Sequence, residues 1–95
     1  MDRKIVFQKP FKFEEKEYTE VDLSGLENLT TRDLVDTEKM YASYGQNNSP
    51  VKEMSVGYAC IIASKATNLP IEFFEYLPAN EGIQVKNEVV SFFYN

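Results

Sequence analysis

The first part of the chain carries two runs of strand-forming residues, and the second run alternates apolar and polar positions with the period of two that is typical of a strand with one buried face. One run of β-branched and aromatic residues covers positions 4–9, and a second alternating run covers 17–23. We expect the first strand to end at Pro10, because proline cannot donate to a strand ladder. With the polar segment 14–16 as a tip, the two runs predict a β-hairpin over about 3–23.

The period of two assigns each residue of the second strand to a face. The predicted faces are Thr19, Val21 and Leu23 on one side, and Tyr18, Glu20 and Asp22 on the other. An isolated hairpin is marginal in water, so the apolar face of this one needs other elements to pack against. We expect those elements to be helices.

Beyond residue 30 the apolar positions recur every three to four residues, which predicts helices over about 31–44, 50–66, 70–76 and 79–93. Thr30 followed by Asp33 has the form of a capping box at the start of the first helix. Gly45 is suited to end the first helix, and Ser49-Pro50 is suited to start the second. Asn68 is suited to end the second helix in a left-handed conformation. The polar residues 46–48 read as a loop.

The second helix carries the strongest apolar pattern, so we expect it to be the most buried element. Its stripe consists of Val51, Met54, Tyr58, Ile61 and Ile62. The apolar positions of the last helix are Ile83, Val89, Val90 and Phe93. A hairpin packed on three or four helices belongs to the α+β class, and 95 residues make a single domain spanning 1–95.

Composition excludes several classes of protein. Apolar residues make up 43% of the chain and include seven Phe and six Tyr, which is too apolar for a disordered segment. The net charge is −5 without a basic arm, which disfavours binding to a nucleic-acid backbone. A DNA-binding helix–loop–helix over 31–66 is also disfavoured, because its second helix offers only Lys52 and Lys65 as cations.

The residues that usually carry catalysis are scarce. The chain has no His and a single cysteine, Cys60, which lies among apolar residues and is predicted to be an inert buried thiol. Its four glycines are isolated, so no phosphate-binding loop is present. No apolar run approaches the roughly 20 residues needed to span a bilayer. We therefore expect no enzyme activity, cofactor, metal or membrane association.

Aromatic residues are the unusual feature of the chain. Phe73, Phe74 and Tyr76 fall within two helical turns, and Phe92 and Phe93 stand near the C-terminus. Neighbouring helical residues are about 100° apart, so we expect one ring of each pair to face outward. The core interpretation is favoured for the mid-chain group, whereas core and partner surface are both open at the C-terminus. The candidate partner-binding residues are Tyr58, Ile62, Phe73, Phe74, Tyr76, Phe92 and Phe93.

The order and spacing of several segments carry a family resemblance across residues 3–93. The segments are Lys9-Pro10, the hairpin over 11–26, Leu29-Thr30-Thr31-Arg32-Asp33-Leu34, the Ala-rich helix ending in Leu69-Pro70, and Phe74-Glu75-Tyr76-Leu77-Pro78. Together they resemble the short tail assembly chaperones of long-tailed bacteriophages and prophages, the tail-protein E/41/14-like family. Asn68 stands where relatives often have Gly, a difference that the left-handed conformation tolerates.

The resemblance implies that this chain binds and solubilises the tape measure protein, the long helical molecule that sets tail length, in the cytoplasm of the bacterial host. It also implies a homo-oligomer without cofactors or catalytic residues, absent from the mature virion. Such phages often make a longer form by ribosomal frameshifting, through which the tail tube protein becomes a partner. Val85-Lys86-Asn87 and Ser91-Phe92-Phe93 are compatible with slippery codons. The alternative is a small structural or adaptor protein retained in the phage tail.

Overall fold

A computed structural model describes residues 3–43 and 55–94, and the structural statements below concern those two ranges. The elements are β1 (Lys4–Phe13), β2 (Lys16–Asp22), a short 3-10 helix (Ser24–Asn28), α1 (Thr31–Ser43), α2 (Val56–Thr67), α3 (Ile71–Glu75) and α4 (Ala79–Tyr94). β1 and β2 form an antiparallel hairpin that packs on the helices, which confirms the α+β class. The predictions for Gly45, residues 46–48, Ser49-Pro50, Val51 and Met54 lie outside the described residues.

The hairpin turns at Glu14 and Glu15, whose φ angles of 50° and 66° are typical of the tight turns that match strand twist. The predicted strand end at Pro10 is wrong, because β1 continues to Phe13. The register passes from Val6 opposite Glu20 to Phe11 opposite Tyr18, so residues 7–10 lie opposite one residue of β2. This bulge accommodates Pro10 at a point where the ladder requires no backbone donor.

The bulge also changes which residues of β2 face the helices. Val21 is buried as predicted, but Thr19 is exposed, and Tyr18 packs edge-on against Phe73 with ring centroids 4.8 Å apart. The predicted faces are therefore wrong for Thr19 and Tyr18. A regular strand would place Tyr18 and Val21 on opposite faces, and the register shift between them removes that alternation.

Glu81 in the first turn of α4 connects the bulge to the helices through a hydrogen bond. The backbone N–H of Gln8 donates to Glu81 Oε2 at 2.7 Å, and the Glu81 side chain is buried. Glu81 Oε1 has no hydrogen-bond partner among the described residues. The carboxylate thus provides a hydrogen-bond acceptor for the bulge in place of the one that β2 would supply in a regular ladder. It lies near the positive end of the α4 dipole, which favours its negative charge.

α2 is the central element of the fold. Its six consecutive residues 58–63 are all buried, so the expectation that this helix is the most buried is confirmed. A helix that is apolar on every side is stable only when it is enclosed, and α1, α3 and α4 all pack against it. The predicted start near residue 50 is wrong, because Ser55 has extended backbone and caps a helix that begins at Val56 by accepting from the N–H of Tyr58. Asn68 ends the helix at φ 61°, as predicted.

The ends of the other helices follow local rules. Asp33 Oδ2 accepts from the N–H of Thr30 at 2.9 Å, and Thr30 Oγ1 accepts from the N–H of Asp33 at 3.3 Å, which confirms the capping box. The bond from the Thr30 backbone lowers the pKa of Asp33. In α4 the core positions are Val85 and Val89, whereas Ile83, one of the apolar positions named from the sequence, is half exposed.

Arg3 joins the start of β1 to two other elements. Its Nε donates to Glu27 Oε2 at 3.3 Å, and its Nη1 donates to Glu88 of α4. The guanidinium carbon also lies 5.4 Å from the centroid of the Phe92 ring. The hydrogen bond to Glu88 is the largest influence that raises the Arg3 pKa. Because this guanidinium is buried, these partners replace the water that it would otherwise bind.

Two glycines provide a matched test of the packing. A Cβ on Gly25 would lie 2.1 Å from the backbone oxygen of Ala66, whereas a Cβ on Gly82 in α4 would meet no atom within 4 Å. We expect Gly25→Ala to lower the free energy of unfolding by about 1–3 kcal/mol, and Gly82→Ala to raise it by about 0.5–1 kcal/mol. Urea unfolding followed by circular dichroism measures both, and equal effects of the two variants would contradict the close approach of Gly25 to α2.

The link between Glu81 and the bulge is tested by Glu81→Ala. The variant leaves the Gln8 N–H without its buried acceptor, so we expect the free energy of unfolding to fall by about 1–3 kcal/mol. Gln84→Ala, an exposed change on the same helix, is the control and should alter stability by less than about 0.5 kcal/mol. If Glu81→Ala were as neutral as the control, the carboxylate would not be the group that holds the bulge.

Candidate functional site

The structure places four of the seven candidate partner-binding residues in the core. Tyr58, Ile62, Phe73 and Phe74 are each no more than 3% exposed. Their assignment to a partner surface is therefore corrected: in the folded domain they are covered by its own side chains. Tyr76 is 68% exposed, and Phe92 and Phe93 are partly buried.

Phe73 and Phe74 show why neighbouring aromatic residues need not divide between core and surface. α3 has only five residues and packs against α2, while the hairpin covers its other side through Phe11 and Tyr18. A helix enclosed on two sides buries rings that point about 100° apart. The expectation that one ring of each pair faces outward is therefore wrong for this pair.

The C-terminal rings close one edge of the core. The centroid of Phe93 lies 6.2 Å from that of Tyr58, and the Tyr58 ring in turn meets Tyr41 edge-on at 5.5 Å. Phe92 lies beneath the Arg3 guanidinium and contacts Phe93. These two rings are consequently structural as well as partly accessible, whereas the neighbouring Tyr94 is 58% exposed.

A recess with aromatic walls lies beside the hairpin tip. It is an open cleft of about 420 Å³, and the residues that line it are Phe11, Lys12, Phe13, Glu14, Glu72 and Tyr76. We call it the aromatic groove. The rings of Phe11 and Phe13 are stacked, with centroids 6.3 Å apart and an angle of 22° between their planes.

Phe73 is buried in the core and contacts the two phenylalanine rings of β1 that line the groove. It meets Phe11 at 5.3 Å and Phe13 at 5.5 Å between ring centroids, both in edge-on geometry. Edge-on aromatic pairs contribute about 0.5–1.5 kcal/mol beyond area burial, so the two groove walls rest on a rigid support. The groove is thus pre-formed in the monomer, a property common to sites that bind small apolar groups.

Of the groove residues, the sequence predicted Tyr76 but not Phe11 or Phe13. Their alternation with Lys12 indicated one shared face. Continuing the strand through Pro10 would have extended that face alongside Ile5 and Phe7. Phe11 and Phe13 were not assigned to the same face as Ile5 and Phe7, because we expected the strand to end at Pro10.

The chemical character of the groove follows from the residues that line it. Its side chains are aromatic or charged, and none of its lining residues is a thiol or hydroxyl nucleophile other than the phenol of Tyr76. Within 3–43 and 55–94, no group of three or more acidic or Cys residues is placed to hold a metal ion. Over the same residues, no helix is long and apolar enough to cross a membrane.

Comparison with known proteins identifies no match for the chain. No protein-family model, no curated protein and no solved structure matches it. The family resemblance therefore stays a prediction from the sequence, and the aromatic groove is the structural observation that bears on binding.

Cys60 provides a test of core integrity that is independent of the groove. Burial raises the pKa of its thiol to about 11. Because the thiolate is the reactive form, we expect an aromatic disulfide reagent at about pH 8 to label the native protein about 100-fold more slowly than the urea-unfolded protein. Absorbance of the released chromophore follows the reaction, and equal rates in both states would show that Cys60 is accessible.

Proposed function

We propose that this protein is a tail assembly chaperone of a long-tailed bacteriophage or prophage, which binds the tape measure protein and keeps it soluble while the tail tube assembles. The proposal rests on the resemblance in segment order across residues 3–93. The structural observation that supports it most directly is the aromatic groove, with Tyr76 68% exposed at its edge.

The groove meets the physical requirements of such a client. A long helix with apolar faces aggregates through side chains that water solvates poorly, and a pre-formed aromatic recess covers such side chains at little cost in conformational entropy. Each contact is small, so many chaperone copies along one client supply the total affinity. The net charge of −5 on each copy keeps the coated client from associating with itself.

The proposal includes the partners and the location that follow from this role. Several copies act in the cytoplasm of the bacterial host, and a longer form produced by frameshifting would bring the tail tube protein to the client. The chaperone leaves as the tube polymerises. Mass spectrometry of purified particles separates this role from that of a retained structural or adaptor protein, since a chaperone is absent from particles and a structural component is stoichiometric.

Co-expression of this chain with a tape measure protein from the same genome tests the groove, and the measured quantities are the soluble fraction of the client and its binding to the chain. We expect the wild-type chain to bring the client into the soluble fraction, and Tyr76→Ser to weaken binding by about 10-fold, because an exposed aromatic contact is lost. Val6→Ser is the matched control, since Val6 is 66% exposed but lies outside the groove.

Two results would contradict these proposals at different levels. If the wild-type chain left the client insoluble and did not bind it in pull-down assays, the chaperone function would be wrong. If the wild-type chain solubilised the client and Tyr76→Ser did so equally well, the function would stand and the aromatic groove would not be the client site.

A further inference from the structure

The face of α4 that points away from the core carries a second apolar surface. At about 100° per residue, with Val85 as the origin, Val89 lies at about 40° and both face the core. On the same scale, four residues cluster between about 140° and 200°, on the opposite side of the helix. They are Ile83, Asn87, Val90 and Tyr94, which we call the α4 seam.

Three of the four seam residues are exposed, and the seam has the spacing of a helix-pairing surface. Ile83 is 50% exposed, Tyr94 is 58% exposed and Asn87 is also exposed, whereas Val90 is partly buried. The intervals from Ile83 to Asn87, Val90 and Tyr94 are four, three and four residues, so the seam follows the heptad pattern d, a, d, a. A face of this kind packs against another helix by inserting each side chain between residues of the partner.

Asn87 determines which helix fits. It occupies an a position between apolar neighbours, and its amide carries both hydrogen-bond donors and an acceptor. An apolar partner helix would bury this amide without a hydrogen bond, at a cost of about 1–3 kcal/mol. A second copy in parallel, in-register orientation presents the same amide at the same level, so the two amides satisfy each other.

Charge on α4 is compatible with such pairing despite the acidic character of the chain. Glu81 is buried against the bulge, and Glu88 is engaged by Arg3, so both carboxylates are directed away from the seam. Gln84, Lys86 and Ser91 flank the seam on α4, so the described residues of this helix place no carboxylate along it to repel a second copy.

From these observations we propose that α4 pairs in parallel with α4 of a second copy of this chain, with Ile83, Asn87, Val90 and Tyr94 of each copy meeting their counterparts. This pairing does not depend on the chaperone function, because it requires only the chain itself. The purified protein without any client is therefore the proper sample for testing it.

Light scattering coupled to size-exclusion chromatography, over a concentration series, measures the association. We expect the mass to rise towards at least twice the 11.0 kDa of the monomer. Ile83→Glu should remain monomeric with unchanged circular dichroism, because the new charges face each other across the seam. Met40→Glu, a charge added at a 40% exposed helical position outside the seam, is the control and should associate like the wild type.

Two further variants test the orientation and the role of the amide. Under oxidising conditions, Tyr94→Cys should form a disulfide-linked dimer, because only a parallel pair brings the two helix ends together. Asn87→Val should associate more tightly than the wild type, since it removes the one polar residue of the seam. A wild type that stays monomeric at every concentration, an Ile83→Glu variant that associates normally, or a Tyr94→Cys variant that does not cross-link would each overturn the proposal.

Discussion

The enclosure of α2 is the constraint that the other elements satisfy. Its buried run from Tyr58 to Ala63 leaves no side of the helix that can face water, so every neighbour must supply an apolar surface. α1 contributes Tyr41, α4 contributes Val85 and Val89, and α3 contributes Phe73 and Phe74. The close contact of Gly25 with Ala66 brings the chain after β2 onto the same helix without an intervening side chain.

A hairpin with regular strand pairing throughout could not cover the helical core with both its base and its tip. Its base must place Ile5 and Val21 against the helices, while its tip must cover Phe73 with Phe11, Phe13 and Tyr18. The bulge at residues 7–10 reconciles the two requirements by shifting the register between base and tip. That shift removes a backbone partner from β1, and Glu81 replaces it. A buried carboxylate in α4 is thus part of the geometry that forms the aromatic groove.

Local chemistry was sufficient to predict the order of strands and helices, but not every boundary or the faces that they present. The capping box at Thr30 and the left-handed Asn68 depend on a few neighbouring residues, and both were predicted from the sequence. The continuation of β1 through Pro10 depends on Glu81, a residue 71 positions away, because the bulge needs an acceptor from another element. No local pattern contains that information.

The candidate site was predictable to a similar extent. Aromatic abundance indicated a partner surface and identified Tyr76, but burial of Phe73 and Phe74 depends on α3 being enclosed by both α2 and the hairpin. Ile83 and Val89 were grouped as apolar positions of one helix, because apolar spacing alone does not distinguish a helix with one buried stripe from a helix with a second, outward stripe. In α4 both stripes are present, and only packing decides which one is covered.

The aromatic groove and the α4 seam share no residue, and this separation has a consequence for how the two proposals combine. A pair joined through α4 would retain two open grooves, each formed by one hairpin tip and its own α3. Two weak grooves on one rigid body bind a long client more tightly than either groove alone, because the second contact forms at a high effective concentration. Pairing would therefore increase affinity for an extended helical client without adding any contact to the groove itself.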